Sequence, residues 1–191
     1  MDDHFKPALS RKTKAIHETV VLLLDAVRYI TIILLIFAFT GGVYTVEQTS
    51  MTDTLLPDER LLVSDLFYTP ARNDIIVFKG VQDKTYIKRI IGLPGDELQF
   101  NEAEGIVYLK KNGETDFSPL HESFIKDPLM EKWGDIPSPV TVPDGHYFVM
   151  GDNRNGSTDS RTGSFGTVDR RCILGHVLLR FAPIAKLTFF G

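Results

Sequence analysis

Polarity divides the chain into two parts. Residues 29–46 (YITIILLIFAFTGGVYTV) carry no charged side chain. A helix of that length covers about 27 Å, close to a hydrocarbon core about 30 Å thick. The preceding TVVLLLDAVRY is also apolar but holds Asp25 and Arg28. A charge at the bilayer centre costs about 2.5–3.5 kcal/mol, so these two side chains are assigned to one interface, where Arg28 can snorkel. The pattern predicts a single transmembrane helix at 29–46, embedded in a lipid bilayer. Lys6, Arg11, Lys12, Lys14 and Arg28 lie on its N-terminal side, and Arg60 is the first basic residue after it. The positive-inside rule then places residues 1–28 in the cytoplasm and the rest outside the cell membrane. A cleaved secretory signal would be shorter and would exit through small residues. This run starts late and ends in Phe39-Thr40-Gly41-Gly42. A buried core helix would show more polar interruptions.

Beyond Val46 the texture becomes that of short strands. RLLVSDL at 60–66, DIIVFK at 74–79, TYIKRII at 85–91, GIVYLKK at 105–111, HYFVM at 146–150 and CILGHVLLRF at 172–181 are rich in β-branched and aromatic residues. Turn signals separate them: Thr69-Pro70, Leu93-Pro94-Gly95-Asp96, Asn112-Gly113 and Pro143-Asp144-Gly145. No long amphipathic helix interrupts the series. The fold class predicted is mainly β, an antiparallel domain over 47–191 behind one N-terminal transmembrane helix. Residues 117–143 hold Pro119, Pro128, Pro137, Pro139 and Pro143 and read as a loop-rich insertion.

Composition narrows the partners. With 191 residues there is room for one ordinary domain and a small appendage. Lys and Arg total 21 against 25 Asp and Glu, so no basic excess exists to neutralise a phosphate backbone, and no nucleic acid is expected. Cys172 stands alone and can form neither an internal disulfide nor a Cys-rich zinc site. His4, His17, His121, His146 and His176 show no metal-ligand spacing. Neither a metal nor a cofactor is expected.

Three segments carry unusual chemistry. The first, SMTDTL at 50–55, lies four residues past the apolar run; a lone serine there is more simply a linker residue. The second is YIKRIIGLPGD at 86–96. Strand alternation puts Tyr86, Lys88 and Ile90 on one face and Ile87, Arg89 and Ile91 on the other. A buried lysine loses proton affinity and becomes a base near neutrality, whereas an edge-strand lysine stays solvated and inert. The third, GDNRNGSTDSR at 151–161, suggests a calcium loop at first sight. It fails that pattern, with Arg154 at the third position from Asp152 and Gly163 at the twelfth. Walker loops, GxSxG elbows, HExxH helices and dinucleotide fingerprints are absent.

Taken in order, the three segments resemble the boxes of bacterial type I signal peptidases, membrane-anchored proteases with a Ser–Lys dyad. Ser50-Met51 with Thr54-Leu55 matches the nucleophile box. Lys88-Arg89 followed by Gly92-Leu93-Pro94-Gly95-Asp96 matches the general-base box, and residues 151–161 match the third. The resemblance implies a catalytic Ser50 and Lys88. Ser157 would orient the lysine amine, and Asp159 with Arg161 would form a supporting ion pair. Asp152 and Gln48 join the supporting set. It also implies that the substrates are secreted preproteins, cut after small residues. Two positions depart from the family pattern: Asp53 stands where proline is usual, and Gln48 where serine or glycine is common. These departures fit variants serving pilus assembly, whose substrates would be pilin precursors. They also leave open a catalytically weak homologue acting as a pilus assembly factor. A self-cleaving repressor with the same dyad would need a DNA-binding helical domain and no anchor, against the apolar run.

Overall fold

The computed structural model describes residues 11–125 and 130–190, with the side chains of residues 13–35 in its first helix. His4, Lys6 and Pro128 lie outside the described residues, as do the side chains of Arg11 and Lys12. Two compact units divide between Thr40 and Gly41.

The first unit contains α1 (Arg11–Thr40). It corrects the predicted span. The uncharged run does not stay helical: its last residues enter strand β1 (Gly41–Thr45). Gly41 lies so close to the neighbouring strand that an added Cβ would sit 2.1 Å from the carbonyl oxygen of Val63. Only the twelve residues 29–40 remain in the helix, about 18 Å. Extending the segment backwards takes in Arg28 and Asp25. Among the described residues no helix is long and apolar enough to cross a membrane. The single-pass placement, with cytoplasmic N-terminus and extracellular domain, rested on that span and falls with it.

The second unit is built from β1 and eleven further strands: β2 (Arg60–Ser64), β3 (Ile75–Lys79), β4 (Thr85–Gly92), β5 (Glu97–Asn101), β6 (Ile106–Lys110), β7 (Ser118–Pro119), β8 (Val140–Thr141), β9 (His146–Met150), β10 (Val168–Asp169), β11 (Ile173–Ala182) and β12 (Thr188–Phe189). Among the described residues, eight form one sheet in the order β1-β2-β11-β3-β4-β9-β10, with β12 also on β11. The other four form a small sheet, β7-β6-β5-β8. Every pairing is antiparallel. All six β-rich runs fold as strands. The sequence reading missed β1, hidden in the uncharged run, β5, and the two-residue strands.

Three apolar clusters hold the sheets. Ile91, Phe148 and Met150 of the large sheet pack with Leu98, Phe100, Val107 and Leu109 of the small one. Val63, Val77 and Val177 pack with Met51 and Leu55. Ile76, Phe78 and Ile90 pack with Tyr147 and Val149. Between β7 and β8 the described residues form neither helix nor strand. The segment is nonetheless anchored: Trp133 stacks between Phe100 and Phe148 at 5.9 and 5.7 Å. β4 runs through the middle of the large sheet, between β3 and β9. That position decides what becomes of its two basic side chains.

Candidate active site

Residues 49–55 turn tightly after β1. The Thr52 N–H donates to Thr49 O, and the Thr54 and Leu55 N–H groups both donate to Met51 O, at 2.8 and 2.6 Å. Met51 and Leu55 are buried in the core and pin the turn from below. Ser50 is left 8% exposed at its rim. Across from it, Lys88 is only 1% exposed, and its Nζ donates to Ser50 Oγ at 2.6 Å and to Ile87 O at 3.2 Å. Burial disfavours the ammonium and lowers the Lys88 pKa from 10.5 to about 8, while the Asp159 and Asp152 charges pull it partly back up.

Strand alternation places Lys88 and Arg89 on opposite faces, and both are buried. β4 is covered on both faces, with Ile90 in the cluster of Tyr147 and Val149 and Ile91 in that of Phe148 and Leu98, so neither side chain escapes to water. Arg89 satisfies its charge with Asp152. Its Nε donates to Oδ1 at 2.9 Å and its Nη2 to Oδ2 at 2.6 Å, while Nη1 donates to Asn73 O at 2.7 Å. The Thr54 hydroxyl donates to Asp152 Oδ2 at 2.6 Å. A bidentate pair of this kind is geometrically demanding and fixes both partners. It ties the Ser50 turn, β4 and the third segment together.

The third segment closes the site from the other side. Asp159 accepts two hydrogen bonds from the Arg161 guanidinium, both at 2.8 Å, one from the Arg161 N–H at 3.3 Å and one from the Gly151 N–H at 2.9 Å. Burial pushes the Asp159 carboxyl up, but Arg161 and Gly151 outweigh it and hold the group below the usual carboxylate range. At Gly151 an added Cβ would lie 2.2 Å from Ser157 Oγ and 2.4 Å from Ser50 O, so the chain approaches Ser50 too closely for a side chain. Ser157 is therefore brought next to the site. Its Oγ is buried and approaches the Asp159 carboxylate without completing a hydrogen bond. The bond expected from Ser157 to the Lys88 amine is not among those Nζ makes. Gln48 and Glu47 are exposed and, with Thr45, Tyr86, Ser50 and Met51, line a groove of about 280 Å³. Asp53 is half-buried. Among the described residues no cluster of three or more His, Cys, Asp or Glu side chains could hold a metal ion.

The family model described as "Signal peptidase, peptidase S26" matches residues 17–182. The chain belongs to the bacterial type I signal peptidases. It is 36% identical over 188 residues to the probable signal peptidase I-1 of Synechocystis sp., covering 92% of this chain and 87% of that protein. It is 38% identical over 162 residues to the signal peptidase I of Bacillus licheniformis, covering 83% and 86%. The signal peptidase I of Leptolyngbya laminosa is 34% identical over 165 residues, 80% of this chain and 74% of that one. The chain is thus an enzyme, a serine endopeptidase of the signal-peptidase type. Arg89 and Thr54, which bind this signal peptidase's candidate site together, lie within the matched boxes, but the sequence assigned them no role. For Arg89 a signal was present: two adjacent cations lie within an apolar strand run, one on each face.

Proposed function

We propose that the chain removes N-terminal signal peptides from secreted preproteins, with Ser50 as nucleophile and Lys88 as general base. The observation that carries this reading is the 2.6 Å contact between Lys88 Nζ and Ser50 Oγ in a dry surround. In this mechanism neutral Lys88 takes the proton of Ser50 Oγ as the oxygen attacks the scissile carbonyl, and returns it to the leaving amine. The same amine then activates the water that releases the acyl group. The backbone N–H of Ser50 donates to the developing oxyanion, with Gln48 as the candidate second donor. Asp159 and Arg161 hold Gly151 and the lysine's electrostatic surroundings, and Ser157 orients the amine once substrate excludes water. Because β1 is an edge of its sheet, an extended substrate can add alongside it and run down the groove to Ser50. Shallow walls there favour small residues before the cut.

Cleavage of a purified preprotein in detergent tests the reading. Ser50→Ala and Lys88→Arg should each abolish it, since guanidinium stays protonated and cannot act as base. Full activity in either variant would remove the dyad.

A further inference from the structure

The insertion between β7 and β8 touches the site at two points, and both involve arginines of the boxes. The Glu122 Oε2 atom lies 2.5 Å from Arg154 Nη1, and both side chains are only 3% exposed. Arg154 in turn donates from Nε to the Gly151 carbonyl at 3.2 Å. Two residues on, the Phe124 ring covers the guanidinium of Arg89, with 3.8 Å between Cζ and the ring centroid. Arg89 holds Asp152, and Asp152 holds Thr54 of the nucleophile turn. One short segment thus reaches Gly151 through Arg154 and the Ser50 turn through Arg89.

We propose that Glu122 and Phe124 form a positioning clamp that keeps the nucleophile turn and the third box in register; the proposal rests on the Ser50–Lys88 reading. An aromatic face over the guanidinium keeps solvent and salt from a pair that must stay bidentate to fix Thr54. Glu122 compensates the buried charge of Arg154, which would otherwise be drawn away from the Gly151 carbonyl. Neither residue touches the reacting atoms, so both act on placement. Sequence gave no hint of this, because the insertion reads as a generic proline-rich loop.

The test uses the full chain and a preprotein substrate, with kcat and KM measured at low and high salt. Phe124→Ala should lower kcat about three- to tenfold with KM little changed, and the deficit should deepen as salt is added. Phe124→Tyr should restore wild-type values, and Glu122→Gln should lower kcat in the same manner without the salt dependence. A folded Phe124→Ala enzyme with wild-type kcat at both salts overturns the clamp. So does a loss that tracks a lowered melting temperature alone and vanishes on cooling. If Ser50→Ala in the same assay retains full activity, the dyad reading fails instead.

Discussion

Arg89, the residue after Lys88 in β4, grips Asp152 with two parallel hydrogen bonds of 2.9 and 2.6 Å. Strand alternation alone would make Arg89 a bystander on the far face. The pair is fully enclosed, and that changes the expectation. Removing the guanidinium leaves an uncompensated buried carboxylate, which costs about 3–5 kcal/mol. Arg89→Ala should therefore unfold at markedly lower denaturant than the parent chain and lose activity with it. Arg89→Lys keeps the charge but not the fork, so it should fall between the two. A denaturation midpoint for Arg89→Ala equal to that of the parent would show that the pair contributes nothing to stability.

Gly151 supplies the second prediction. Its missing side chain leaves the space in which Ser157 Oγ and Ser50 O approach the backbone, at 2.2 and 2.4 Å from where a Cβ would stand. Gly151→Ala must push one of them away. A displacement near 1 Å at a reacting group costs about 100-fold in rate. Preprotein cleavage should drop by that order, while the far-ultraviolet circular dichroism of the β domain stays the same. Unimpaired turnover would mean that Ser50 does not need its present position.

The β domain was legible because its strands alternate between turn signals that have local chemical causes, such as Leu93-Pro94-Gly95-Asp96. There the Asp96 carboxylate accepts from the Leu93 N–H at 2.6 Å and from the Asn112 N–H at 2.9 Å. The helix was misread because hydropathy does not see tertiary pairing. Gly41 to Thr45 is uncharged, yet it pairs residue by residue with Ser64 to Arg60 of β2. Ser50 and Lys88 stood out as residue types, but their approach across 38 positions depends on where β4 sits in the sheet. The contact of Glu122 with Arg154 left no periodic trace at all.

Lys88 also makes a prediction about stability. Its folded pKa is lowered to about 8, against an ordinary value of 10.5. Between these values the unfolded chain binds the proton and the folded chain does not, so stability rises with pH across that window. Below about pH 8 the folded protein carries the buried ammonium at a cost of about 3 kcal/mol. Lys88→Met removes the charge while keeping a similar shape, so at pH 7 it should be more stable than the parent by about 1–3 kcal/mol though inactive. The advantage should shrink as pH climbs from about 8 towards 10.5. A variant that is less stable at pH 7, or whose difference from the parent is flat with pH, would contradict the burial argument.

On the proposed dyad Lys88 must be neutral to accept the Ser50 proton, so cleavage should rise with pH through a midpoint near 8. Burial sets that midpoint low, and the Asp159 carboxylate is the largest influence holding it up. Asp159→Asn keeps a hydrogen-bond acceptor for the Gly151 N–H but removes the negative charge. The Arg161 charge, which already lowers the Lys88 pKa, is then left unopposed. Both changes favour the neutral amine, and the midpoint of kcat/KM against pH should move to more acidic values. The variant will also be less stable, since Arg161 loses its buried partner, so the profile should be recorded at a temperature where circular dichroism shows the chain folded. The direction of the shift separates the two roles. A purely architectural Asp159 would lower the plateau and leave the midpoint in place, and a midpoint displaced to higher pH would show that its charge does not act on Lys88 at all.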